Sequence, residues 1–175
     1  MKRSLIFLIT VLAAFCLAGP AQAQEYLFGV EQEIVQVFVN ADGTVDIAYT
    51  WTFVNQPGAH AIDFVDVGVP VKFDLGNIRA DVDGADVLVS RTDYMGSGTG
   101  FAIVLGAHAI PPGERGTVHV TITGLRGVLG RDSSDAAYAS LVFSPTWFGR
   151  QYVSGTTDVM VIFHLPPDVP PESPR

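Results

Sequence analysis

Three aromatic rings and a guanidinium group crowd into the nine residues Ser144-Pro145-Thr146-Trp147-Phe148-Gly149-Arg150-Gln151-Tyr152. Large rigid rings and the forked donors of Arg are the residue types that anchor binding surfaces, and flat rings also stack on sugars. Pro145 and Gly149 favour a loop over a regular element. Trp147, Phe148, Arg150 and Tyr152 are therefore the candidate binding surface, for a protein or polysaccharide partner. The competing reading is packing, in which Trp147 and Phe148 plug the end of a β-sandwich.

Other residues that could do chemistry have simpler explanations. Asn40-Ala41-Asp42-Gly43-Thr44-Val45-Asp46 and Asp81-Val82-Asp83-Gly84-Ala85-Asp86 look like openings of calcium loops. Calcium takes roughly six to eight oxygens, and an EF-hand closes on a bidentate Glu at about the twelfth position. Neither stretch has that Glu or a flanking helix, and hairpin-turn chemistry accounts for each residue. His60, His108, His119 and His164 have no zinc-site spacing, and no cysteine stands near them. Ser97, in Met95-Gly96-Ser97-Gly98-Thr99, is one residue out of frame for Gly-x-Ser-x-Gly. The same Gly-rich stretch has no Lys and opens no helix, so it lacks the parts of a phosphate loop. A serine triad or a carboxylate pair gathered from distant loops has no spacing to recognise, and an extracytoplasmic hydrolase stays open as a further alternative. No residue is assigned as catalytic or metal-binding, and no cofactor is expected.

The elements that would position such a surface are strands. Within residues 44–53, Val45, Ile47, Tyr49, Trp51 and Phe53 alternate with polar or small residues, the period-two pattern of a strand with one buried face. Val35, Val37 and Val39 repeat it upstream, and Asn40-Ala41-Asp42-Gly43 between them is a tight hairpin turn. Residues 62–71, 78–82, 87–90, 101–105, 117–123, 141–143 and 158–165 read as further strands, with Asp83-Gly84 turning a second hairpin. Val159, Val161, Phe163 and Leu165 are expected on one face of the last strand. The only helical candidate, residues 132–139, allows a turn or two. Short strands at turn-punctuated spacing predict an all-β fold, an antiparallel β-sandwich of immunoglobulin-like or similar type, with a β-barrel as the alternative.

Both ends of the chain carry separate signals. Lys2 and Arg3 precede an apolar run over residues 5–17 broken only by Thr10, followed by Gly19-Pro20 and Ala21-Gln22-Ala23. That is the plan of a secretory signal peptide over residues 1–23, with cleavage expected between Ala23 and Gln24. The run is shorter than the roughly 18–20 apolar residues of a permanent span. Residues 24–165 are then one exported domain, periplasmic, extracellular or on the cell surface, and residues 166–175 a Pro-rich tail or linker. The single cysteine, Cys16, lies in the leader, and Phe15 before it is not the small residue that lipidation requires. An exported domain without disulfides relies on its core. The net charge of −8 becomes more negative once Lys2 and Arg3 leave. Such a surface repels phosphate backbones and anionic lipid, which argues against nucleic acid and acidic membranes as partners. With 48% hydrophobic and 16% charged residues the chain is too apolar for disorder.

The strand–turn–strand of residues 37–53, Ala136-Ala137-Tyr138 leading to Trp147, and the closing residues 159–167 resemble an uncharacterised bacterial family of predicted membrane proteins. The resemblance implies a signal peptide, an extracytoplasmic β-sandwich and, beyond the Pro-rich segment, a membrane-anchored part. It brings no activity. The expectation is a non-enzymatic exported interaction or scaffold domain, possible membrane association coming only through that C-terminal anchor; the alternative is a carbohydrate- or peptide-binding module.

Overall fold

The computed structural model describes residues 25–170. The expected signal peptide, its expected Ala23–Gln24 cleavage boundary and the last five residues of the Pro-rich segment lie outside the described residues. The described residues are nearly all β, in open sheets with no closed barrel among them, consistent with a β-sandwich.

The first hairpin organises the larger sheet. β1 (Phe28–Val39) and β2 (Val45–Asn55) pair antiparallel with Val37 opposite Ile47, Val35 opposite Tyr49 and Glu33 opposite Trp51. The turn closes as its residues dictate. Gly43 takes a φ of 80°, a conformation that costs glycine least, while Asp42 Oδ1 accepts hydrogen bonds from the Thr44 amide (3.0 Å) and hydroxyl (2.6 Å). Upstream, β1 is longer than alternation alone suggests. The register slips between Val30 and Gln32, so Glu31 is an extra residue and the buried positions change from even (Phe28, Val30) to odd (Glu33, Val35, Val37). A bulge of this kind breaks the period by which a strand is recognised.

β3 (Phe64–Gly68), β4 (Ile78–Val82), β5 (Ala85–Asp86), β6 (Leu88–Ser90), β7 (Gly100–Val104), β8 (Arg115–Leu125), β9 (Leu129–Arg131), β10 (Ala139–Leu141) and β11 (Asp158–His164) follow. The six-stranded sheet runs β11-β1-β2-β8-β4-β5, the three-stranded sheet β3-β7-β6, and β9 and β10 form a separate ribbon. Asp83 (φ 50°) and Gly84 (φ 85°) make the two-residue turn between β4 and β5, after which the chain crosses to the smaller sheet. Residues 132–139 form no helix: the Asp132 carboxylate accepts from the Ser134 and Asp135 amides and holds the β9–β10 loop as turns.

The core lies between the two main sheets. Val35, Val37, Ile47, Tyr49, Trp51, Phe53, Val118, Val120, Ile122, Ile78 and Ala80 come from the larger sheet; Val65, Val67, Phe101 and Ile103 come from the smaller. One expectation needs correcting. Every pairing of the named strands is antiparallel except β1 with β11, which is parallel, Val35 opposite Val161 and Val37 opposite Phe163. Although Val159, Val161 and Phe163 share the inner face, Val159 and Phe163 are about half exposed, as is Leu165 just beyond the strand. The second sheet has three strands against six, too narrow to cover the outermost one. Among the described residues no helix is long and apolar enough to cross a membrane.

Candidate functional site

After β10 the chain runs without regular structure over residues 142–157, a strap whose Phe143 and Phe148 rings pack on inner-face residues of β1, β2 and β11. Its far end is fastened to β1: the Phe28 amide donates to the Tyr152 carbonyl (2.9 Å), the Ser154 amide donates to the Phe28 carbonyl (2.8 Å), and Val153 bridges Phe28 in parallel. Within it, Tyr152 N–H donates to the Gly149 carbonyl (2.9 Å), closing a turn.

The four candidate surface residues separate on this strap. Phe148 turns inward, edge-on to Phe28 (6.0 Å between centroids), Trp51 (6.0 Å) and Phe53 (5.4 Å). Its neighbour Trp147 turns outward and is 77% exposed. Arg150 is exposed as well. Tyr152 is partly exposed and sits edge-on to Tyr26 (6.5 Å). The packing reading thus holds for Phe148 and not for Trp147, whose ring stands in solvent.

Two clefts flank the strap, and Ser144, Pro145, Thr146, Trp147 and Phe148 border both. The first, about 560 Å³, opens towards β1 and β11 and includes Glu33, Arg150 and Thr157 in its wall. The second, about 830 Å³, opens towards β3 and the loop around Tyr94 and Met95. Asp66 borders the second cleft; burial pushes its carboxyl up, and the Met95 and Gly96 amides pull it back down. At the rim, Tyr26 donates its hydroxyl to Asp63 and its ring lies 4.8 Å from that of His60. Burial first, then this bond to a carboxylate, raises the Tyr26 phenol well above its ordinary value.

Beneath the strap lies a polar cluster that no sequence motif marks. Glu33 occupies an inward position of β1 and is only 4% exposed. Its Oε1, the Trp51 indole nitrogen and the Thr146 hydroxyl are all sealed from solvent without an aligned hydrogen-bond partner. Burial is the largest influence on Glu33 and pushes its carboxyl up; the nearby Trp51 indole and Thr146 amide act in the opposite direction. Tyr49, under the same strap, is pushed up to about 12, chiefly by burial. A signal was present in the sequence: Glu33 breaks an otherwise apolar set at positions 33, 35 and 37.

The sign of the Glu33 shift makes a prediction. A carboxyl whose folded-state value lies above the ordinary 4.5 binds its proton more tightly in the folded state. Its contribution to stability is then complete below pH 4.5 and is lost as pH rises through the elevated folded value. Glu33→Gln, neutral throughout, should stabilise the domain at pH 7 by about 1–3 kcal/mol, with the gain shrinking towards pH 4. Urea unfolding of both proteins at the two pH values measures it; a loss of stability at pH 7 would mean that the charged form is the favoured one.

The other candidates have structural partners. Asp81 Oδ1 accepts from the Gly84 amide (2.9 Å) and contacts His119 Nδ1 (3.0 Å), and Asp83 Oδ1 accepts from the Thr117 amide (2.9 Å). Asp46 Oδ1 accepts from the Gly124 amide (2.7 Å). These carboxylates hold turns and register. His60 meets the Ala61 carbonyl and His164 meets Gln36, neither of them a serine. Ser97 accepts the Tyr94 hydroxyl through its backbone carbonyl. Among the described residues no group of three His, Cys, Asp or Glu side chains could hold a metal ion.

No protein-family model matches the chain, and no curated protein matches it in sequence.

Proposed function

We propose that this chain is an exported, non-enzymatic β-sandwich that works as an interaction domain, with the strap of residues 142–157 as its binding surface and Trp147 as the anchor. The observation that carries the reading is the position of one ring. Trp147 is 77% exposed between two clefts, on backbone pinned to β1 at Tyr152 and Ser154 and held down by Phe148. A large apolar ring presented to solvent on a braced segment loses little freedom when a partner covers it. The leader-like residues 1–23 support an extracytoplasmic setting, and the family resemblance supports tethering to a membrane through a part beyond the Pro-rich segment.

A second reading is favoured by the first cleft, where Trp147 stands beside Arg150 and Thr157. A flat ring with polar groups at one side suits a saccharide as well as a peptide. Trp147→Ala tests both. The melting temperature should stay within about 1 °C, since an exposed ring contributes little to stability. Retention on cell-envelope preparations, separated into polysaccharide and protein fractions, should fall at least about tenfold, the ~1.4 kcal/mol or more expected of a binding anchor. Unchanged retention on both fractions would remove Trp147 from the functional surface.

A further inference from the structure

The edges of a sheet present unpaired N–H and C=O groups, and proteins guard them with short strands, charges or proline. Most edges here follow that rule. β5 has two residues, β6, β9 and β10 have three each, and β3 has five with Asp66 at its centre. β11 does not. It runs for seven residues, Asp158-Val159-Met160-Val161-Ile162-Phe163-His164, with no Lys, Arg, Glu or Pro. β1 occupies one side of it, and no described strand occupies the other. Val159 (48%), Met160 (49%) and Phe163 (51%) stand exposed along it on both faces.

The sequence of this edge is complementary to itself. Folded antiparallel about its central residue, Val161 meets Val161, Met160 meets Ile162, Val159 meets Phe163, and the carboxylate of Asp158 meets the imidazole of His164. Each apolar side chain finds an apolar one, and the only charged residue finds a hydrogen-bonding partner at both ends. A shift by one residue would place Val159 against Ile162, an inner-face position against an outer-face one, and so set the inner faces of the two copies on opposite sides of the sheet. Pro166 and Pro167 follow one residue beyond the strand and end the pairing.

We infer that β11 pairs antiparallel with β11 of a second copy of this chain, about a two-fold axis through Val161, joining two six-stranded sheets into one continuous sheet. The outward N–H and C=O groups of each β11 are then satisfied, and the half-exposed residues on both faces gain an equivalent set across the axis. The interface is isologous and closes at two copies.

Sedimentation equilibrium of the full chain between about 1 and 100 µM should show a dimer, the low end lying near the ~8 kcal/mol that corresponds to micromolar affinity. Register is read by thiols, in a background where Cys16, the only cysteine, is Ser. Directly opposed residues have Cα atoms about 4.5–5.5 Å apart, within disulfide reach. Val161→Cys should therefore form a covalent dimer under mild oxidation. Val159→Cys should not, because the two copies of residue 159 would lie about 13 Å apart along the strand. Met160→Lys, at an exposed position, should shift the chain to monomer with its melting transition still cooperative. A monomer at 100 µM, or equal cross-linking at 159 and 161, overturns the proposal.

Discussion

Trp51→Ala should destabilise the domain by about 3–5 kcal/mol, the cost of emptying a large buried site that its surroundings cannot refill. Trp51 is fully buried in β2, registered between Glu33 of β1 and Val118 of β8. Its indole stacks on Tyr49 at 4.7 Å and receives the edge of Phe148 at 6.0 Å. The substitution also removes the indole N–H that lowers the cost of a buried Glu33 carboxylate, so the loss should be greater at pH 7 than at pH 4. With total stabilities of small domains at about 5–15 kcal/mol, this one change removes a large share. Denaturant unfolding measures it, and a loss below about 1 kcal/mol would show that the inner face of β2 had been assigned wrongly.

The second large effect belongs to Phe148. Its ring meets those of Phe28, Trp51 and Phe53, yet the residue is only partly buried. Phe148→Ala should therefore cost about 2–4 kcal/mol, somewhat less than the ~3–5 kcal/mol of a fully enclosed Phe. Because the ring clamps the strap, residues 144–152 should also become more sensitive to protease. Trp147, one position earlier, should show the opposite pattern of preserved stability and lost binding. If Trp147→Ala unfolded the strap and Phe148→Ala left it intact, the two rings would have exchanged roles.

The elements legible in the sequence are those whose signals are local. The period of two over residues 44–53 and the Asp-Gly turns at 42–43 and 83–84 depend on neighbouring residues alone, and the structure has both hairpins. Features set by distant chain were not legible. Alternation marks the shared face of Val159, Val161 and Phe163 without indicating that the opposing sheet stops short of it. It is equally silent on strand direction, so the parallel union of β1 and β11 left no trace. The bulge at Glu31 hid the first part of β1 by switching the buried phase. For the proposed site, composition singled out residues 144–152. Trp147 and Phe148 turn to opposite sides of the strap, and which one faces inward depends on the cavity among Phe28, Trp51 and Phe53.

The parallel pairing of β1 and β11 also orders events in time. His164 and Gln36 touch across 128 residues of sequence, whereas β2 follows β1 after one short turn. Contacts closed over such long loops form late. As the chain is made from its N-terminus, β1 and β2 can zip together early, while the other side of β1 waits for almost everything else to be synthesised. Until then the open flank of β1 is a template for any strand in reach, and the nascent protein is at its most vulnerable to mispairing. The arrival of β11 replaces that unfinished flank with a new one at the outer margin of the sheet, a step available only to a molecule translated through residue 164.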